Sequence, residues 1–177
     1  MNARVRSIRV REQDWCLLAN QWGSRLAIRR AFAVASRLGD GGAWYALMLA
    51  LIVVDGADGL TAATHMGLTA LAAVLLYRWL KHHTKRPRPF AQDVRIQALV
   101  APLDEFSFPS GHTLHAVSFT AVALAYYPVL APLLIPFAAA VAASRVVLGL
   151  HYPSDVLAAT AIGGLLATLS LWAATLL

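Results

Sequence analysis

Residues 106–144 run for 39 positions without a single Lys, Arg, Asp or Glu, and nothing else in the chain limits the fold as much. A helix crosses the hydrocarbon of a bilayer with about 20 apolar residues. Thirty-nine therefore make two spans, and Tyr126-Tyr127-Pro128 is the place to divide them. Proline cannot continue a helical ladder, and aromatic side chains favour the membrane interface. Residues 41–54, 59–77 and 156–177 are likewise free of charge. The pattern predicts an all-α polytopic membrane helix bundle of about five transmembrane helices, near residues 41–56, 59–80, 108–127, 129–148 and 155–176. Asp55 and Asp58 then fall in the turn between the first two. Composition agrees, with 14% charged residues where soluble domains carry about a quarter.

The fifteen Lys and Arg residues fall in blocks: eight in residues 4–37, six in residues 78–95, and Arg145 alone. Arg at the centre of a spanning helix costs about 2.5–3.5 kcal/mol, so residues 1–40, with Arg25, Arg29, Arg30 and Arg37, are not read as a span. Trp15, Leu17, Leu18, Trp22, Leu26, Ile28, Phe32 and Val34 alternate with those arginines. That is the pattern of an interfacial amphipathic helix, with arginines against anionic headgroups and apolar side chains in the acyl boundary. Residues 1–40 are thus a basic amphipathic N-terminal segment and residues 41–177 the membrane domain. The excess of positive charge is accounted for by the membrane, and no nucleic-acid partner is implied. The single Cys16, beside Trp15, Leu17 and Leu18, reads as an apolar filler.

Three short stretches carry chemistry, each at the mouth of an apolar segment. Lys81-His-His-Thr-Lys-Arg-Pro-Arg88-Pro89 follows the second predicted span. Arg88 offers a planar fork of donors that matches phosphate oxygens and Lys81 offers a point charge. By itself this run fits an ordinary basic helix flank better, and His82, His83, Lys85 and Arg86 are left with that reading. Pro109-Ser110-Gly111-His112 opens the third span. Ser110 is a strong helix cap, the free N–H groups of a helix start attract anions, and Gly111 lets the backbone approach one. His112 in the first turn can donate a proton. Asp104 and Glu105 read as loop solvation, and His115 as a packed histidine. Ser144-Arg145-Val-Val-Leu-Gly-Leu-His151-Tyr-Pro-Ser-Asp155 puts a costly cation at the end of one span and an imidazole in the loop. Its carboxylate, at the start of the next span, can fix the imidazole tautomer and free the other nitrogen as a nucleophile.

The order and spacing, Lys-x6-Arg-Pro, Pro-Ser-Gly-His and Ser-Arg-x5-His-x3-Asp, resemble the type-2 phosphatidic acid phosphatase family of membrane lipid phosphatases and vanadate-dependent haloperoxidases. The resemblance covers residues 81–160. It implies that His151 attacks phosphorus and becomes a phosphohistidine, that Asp155 orients it, and that His112 protonates the leaving group and later activates water. It implies further that Lys81, Arg88, Ser110, Gly111 and Arg145 hold the phosphoryl oxygens, with no metal and no cofactor. Ala159 stands where relatives often carry Gly, and His65 has no family role.

The resemblance points to a metal-independent phosphatase in the plasma membrane acting on a lipid phosphate or pyrophosphate. An isoprenoid diphosphate (undecaprenyl-diphosphatase activity), phosphatidylglycerophosphate, phosphatidate and a phosphorylated lipid A all fit. A lipid phosphotransferase keeps every one of these residues, and a catalytically idle lipid-binding membrane protein is the non-enzymatic alternative. The eight N-terminal arginines favour a cytoplasmic site by the positive-inside rule, whereas analogy with bacterial members of the family favours a periplasmic one.

Overall fold

The computed structural model describes the backbone of residues 3–176 and the side chains of residues 11–176. Among these the regular structure is helical: α1 Ala3–Gly23, α2 Leu26–Gly39, α3 Gly42–Thr84, α4 Pro89–Gln92, α5 Gly111–Tyr126, α6 Ala131–Val147 and α7 Pro153–Ala174, with a 3-10 turn at Pro128–Leu130.

Helix α3 is really two. Gly56 takes φ 57°, ψ −119°, outside the helical region. A Cβ placed on Gly59 would lie 2.0 Å from the carbonyl oxygen of Leu51, so the chain has doubled back on itself within eight residues. Glycine is needed at Gly56 because side chains disfavour positive φ. The first arm therefore runs away from Gly42 and the second returns to Lys81, as the two charge-free runs on either side of Asp55 and Asp58 foretell. Three segments are long and apolar enough to cross a membrane: Gly42–Gln92, which contains this hairpin, Pro128–Val147 and Pro153–Ala174.

Helix α5 has 16 residues, about 24 Å at 1.5 Å per residue. It can be short because it is the centre of the bundle, packed by α3, α6 and α7. Trp44 stacks on Phe119 with ring centroids 5.1 Å apart, and Met66, Val122, Leu134 and Val141 complete that core. Elsewhere the contacts are made by Ala62, Ala73, Ala116, Ala123, Ala159 and Ala167, all buried. In hydrocarbon, burial from water does not drive helices together, so close approach between small residues carries the association. Ala159 packs on Ala73 and Leu114, which makes it a packing residue. His65 lies at the opposite end from Lys81, with Nδ1 2.9 Å from the Tyr126 hydroxyl and Nε2 3.1 Å from Ser170 Oγ. There Tyr127 also donates to Asp55 at 2.6 Å.

The N-terminal segment departs from the expected single helix. It is two helices with a break at Ser24 and Arg25, and each is half committed to the protein. From α1, Glu12, Cys16 and Asn20 are buried, while Trp15, Leu18 and Trp22 stay exposed. From α2, Ser36 and Gly39 are buried against α6, while Val34 and Leu38 stay exposed. The exposed apolar stripes suit an interfacial location; the buried faces are what a loose amphipathic anchor lacks. Cys16 is a filler, its thiol pushed up to about 12 by burial and by the nearby carboxylates of Glu12 and Asp155. The side chains of Arg4, Arg6 and Arg9 lie outside the described residues.

Candidate active site

Backbone hydrogen bonds stitch the three motifs together at the end of the bundle where α1 and α2 also lie. Ser107 N–H donates to Arg86 O at 2.8 Å, and Ser110 N–H donates to Asp155 O at 3.3 Å. Arg88 Nη1 donates to Leu150 O at 2.8 Å. Between Arg145 and His151 the chain must end α6 and turn at once. His151 N–H and Leu150 N–H both donate to Arg145 O at 3.0 Å. Gly149, at φ +75°, makes that turn possible. A Cβ there would sit 2.4 Å from Gln97 O.

A cavity of about 480 Å³ results, with Lys81, Arg88, Gly111, His112, Arg145 and His151 in its wall. His151 is 1% exposed. Its Nδ1–H donates to the carbonyl of Ser107 at 2.6 Å, which leaves the lone pair on Nε2, 3.3 Å from Arg88 Nη1. Burial, followed by the charges of Arg145, Arg88 and Lys81, pulls this imidazole well below its ordinary value. His151 is therefore a neutral base with one defined tautomer.

The expected contact between Asp155 and His151 is not formed. Asp155 Oδ2 is 3.7 Å from Nδ1, too far for a hydrogen bond. Asp155 lies in the first turn of α7, and that position turns it back to cap the Tyr152 N–H at 2.8 Å. Its other oxygen accepts from Arg86 at 2.7 Å. The role of orienting His151 passes to the Ser107 carbonyl. Arg86, read from sequence as a basic flank, bonds Asp155, Ser154 Oγ and Glu12 at 2.7 Å each, and its guanidinium lies 4.1 Å from the centre of the Tyr152 ring. Ser110 caps α5 through Thr113 as expected, but its fully buried hydroxyl does not line the cavity, so Gly111 rather than Ser110 reaches it.

Asp104 lies in a loop and its side chain is 41% exposed, as expected, but it does more than meet solvent. Its carboxylate accepts from Lys81 Nζ at 2.6 and 2.7 Å and from Arg88 Nη2 at 2.8 Å. Partial burial pushes the Asp104 carboxyl up, but Lys81 and Arg88 outweigh it and hold it below the usual range. The signal was available: a carboxylate on the short link between two cationic motifs tends to pair with them. Asp40, at the end of α2, makes the corresponding contact to His112 Nε2. Arg145 is 2% exposed and pairs with no carboxylate among the described residues. Ser36 Oγ accepts from its Nη1, and its buried Nε–H has no partner. An uncompensated buried charge is expensive, and an anion in the cavity would relieve that cost.

The family model described as the PAP2 superfamily matches residues 62–176, well over half of the chain and all three motifs. The chain belongs to the PAP2 superfamily. Among curated PAP2-like relatives, phosphatidylglycerophosphatase B of Escherichia coli (strain K12) is 36% identical over 74 residues. The same identity and span hold for the Shigella flexneri protein of that name. That alignment takes in 39% of this chain but only 29% of the relative's length. Two crystal structures share the fold. The transmembrane PAP2 type phosphatidylglycerolphosphate phosphatase from Bacillus subtilis superposes with a TM-score of 0.74 at 24% identity, covering 93% of this chain and 84% of that one. Aquifex aeolicus LpxE gives 0.74 at 24%, covering 89% and 93%. The PAP2 match begins at residue 62, so Ser36 and Asp40, which touch Arg145 and His112, come from outside it.

Proposed function

We propose that this PAP2 protein is a multi-pass plasma-membrane phosphatase that hydrolyses a lipid phosphomonoester or lipid diphosphate through a phosphohistidine on His151. The observation that carries the reading is the neutral, Ser107-oriented imidazole of His151 beside the buried guanidinium of Arg145, which pairs with no carboxylate among the described residues. Arg145, Arg88, Lys81 and the Gly111 N–H at the start of α5 bind the phosphoryl oxygens, supplying charge stabilisation that needs no proton or metal bookkeeping. His151 Nε2 attacks phosphorus, and the bond from phosphorus to the leaving oxygen breaks. His112 gives that oxygen a proton, then takes one from water as the water attacks the phosphohistidine. Inorganic phosphate leaves and both imidazoles return to their starting state. Asp40 orients His112, while Asp155 and Arg86 hold the loop from which His151 projects. The N-terminal arginines described, from Arg11 to Arg37, share the site's end of the bundle, which supports a cytoplasmic site.

Rapid acid-free quench with a ³²P-labelled lipid phosphate tests this. A base-stable, acid-labile phosphoprotein should form in His112→Ala and be absent in His151→Ala. Turnover in His151→Ala should fall by about a thousandfold or more. Substantial turnover by His151→Ala would remove the nucleophile assignment.

A further inference from the structure

Lys81 has no hydrogen-bonding capacity left over for a substrate. An ammonium group carries three N–H donors, and all three are taken. The carboxylate oxygens of Asp104 accept two, at 2.6 and 2.7 Å, and the carbonyl of Phe106 accepts one at 2.9 Å. Arg88 is nearly as occupied. Its Nη2 donates to the same carboxylate at 2.8 Å, its Nε to the Asp104 carbonyl at 3.0 Å and its Nη1 to Leu150 O at 2.8 Å. The carboxylate also stands outermost. The Asp104 side chain is 41% exposed, against 8% for Lys81 and 2% for Arg88, and all three line the catalytic cavity. Buried cations need a counter-charge, and Asp104 supplies it.

Little else fastens the segment that bears this carboxylate. Leu99 N–H donates to Leu148 O at 3.1 Å and Ser107 N–H to Arg86 O at 2.8 Å, but residues 100–106 between them make no backbone–backbone hydrogen bond. Residues 101–105 are all exposed. Their hydrogen bonds to the rest of the protein are those that Asp104 accepts from Lys81 and Arg88.

We propose that Asp104 is a built-in competitor for the phosphate site: phosphoryl oxygens displace its carboxylate from Lys81 and Arg88, and the carboxylate returns to them as inorganic phosphate leaves. The inference rests on the phosphatase reading, in which those two cations hold the phosphoryl group. A carboxylate presents two oxygens to the donors that phosphoryl oxygens need, so both anions cannot hold Lys81 at once. Exchange keeps each buried cation paired throughout. Such competition weakens every phosphate ligand alike. A lipid offsets the loss through its chain, as remote parts of a substrate do; inorganic phosphate has no chain, so the exchange favours release of the product.

The probe is inorganic phosphate, titrated into the full-length protein in detergent at constant ionic strength, with Kd read from the rise in Tm. Asp104→Asn keeps the shape and removes the charge, and its Kd should be roughly tenfold lower than that of the unmodified protein. Asp104→Glu should stay close to the unmodified protein. A carboxylate that only braced Lys81 would act in the opposite direction, so unchanged or weaker phosphate binding in Asp104→Asn would overturn the proposal. Equal tightening in Glu105→Gln, at the exposed neighbour with no ion pair among the described residues, would also overturn it, because the effect would then be one of net charge. If Asp104→Asn is unfolded in plain buffer, phosphate should restore it. A variant still unfolded at saturating phosphate would show that phosphate cannot take the place of the carboxylate, and the proposal would fall. A protein that binds phosphate yet releases none from phosphatidate, phosphatidylglycerophosphate or farnesyl diphosphate would remove the phosphatase reading alone, with the exchange still decided by the Kd comparison.

Discussion

His151 and His112 open on the same cavity, yet the chain holds them in unlike ways. The ring of His151 is held by residues within the PAP2 match, Ser107 O on one nitrogen and Arg88 on the other, while Asn20 and Glu12 of α1 brace the backbone on either side of its turn through Val147 O and Ser154 N–H. His112 projects from the first turn of α5 and is held across the cavity by Asp40, from a helix outside that match. His151 thus takes its ring contacts from within the matched region, and His112 from a helix that precedes it. The difference teaches that the two imidazoles can be perturbed separately, His112 from α2 and His151 from the loops around it.

The largest break in that comparison should come on the His151 side, through Arg86. Arg86→Ala leaves Asp155, which is 0% exposed, without its counter-charge. Breaking a buried pair costs about 3–5 kcal/mol, and because Arg86 is a quarter exposed the lower end applies. Unfolding in detergent should show a loss of about 3 kcal/mol, and Arg86→Lys should recover little, since an ammonium cannot bridge Asp155, Ser154 and Glu12 at once. Wild-type stability in Arg86→Ala would show that the carboxylate needs no such support.

On the His112 side the expected effect is smaller and of another kind. Asp40→Asn keeps the shape but removes the charge. It should slow hydrolysis about tenfold for alkyl phosphates, a part of the 10²–10⁴ that proton transfer contributes. Esters with good leaving groups should be nearly unaffected, because they need little protonation. An equal loss for both classes of ester would mean that Asp40 acts only on folding.

The smallest effect is a pH dependence of stability carried by His151. Its imidazole lies well below 6.5 in the folded protein and near 6.5 when unfolded. As pH falls below 6.5 the unfolded chain takes up a proton that the folded one refuses. Stability is therefore full above 6.5 and falls by up to about 1.4 kcal/mol per pH unit below it. Unfolding measured at pH 7.5 and 5.5 should show this slope, and His151→Gln should lessen it by the share that His151 carries. An unchanged slope in His151→Gln would put the titration on another group.

The helical hairpin, the division at Tyr126–Pro128 and the convergence of the three motifs at one end were all readable from sequence. Charge-free runs of the right length admit few other arrangements in a membrane, and three spans alternating in direction bring Lys81, His112 and His151 to one side. The partners of those residues were not readable. Asp104 looked like a solvated loop residue because its neighbours in sequence are a leucine and a glutamate; its neighbours in space are Lys81 and Arg88. Arg86 looked like a helix flank, and nothing within its own segment shows Glu12 or Asp155 beside it.

By itself, then, the sequence determined the class of fold and the end of the bundle where the three motifs meet, because hydropathy period and motif spacing are local properties of the chain. Only the tertiary structure decided which carbonyl orients His151, which carboxylate holds His112, and that Gly111 faces the cavity while the Ser110 hydroxyl is buried away from it. Those choices depend on contacts such as Asp40 with His112, 72 residues apart, and Ser107 with His151, 44 apart. A hydrogen bond is settled by a few tenths of an ångström between such distant segments, and no pattern within either segment specifies it.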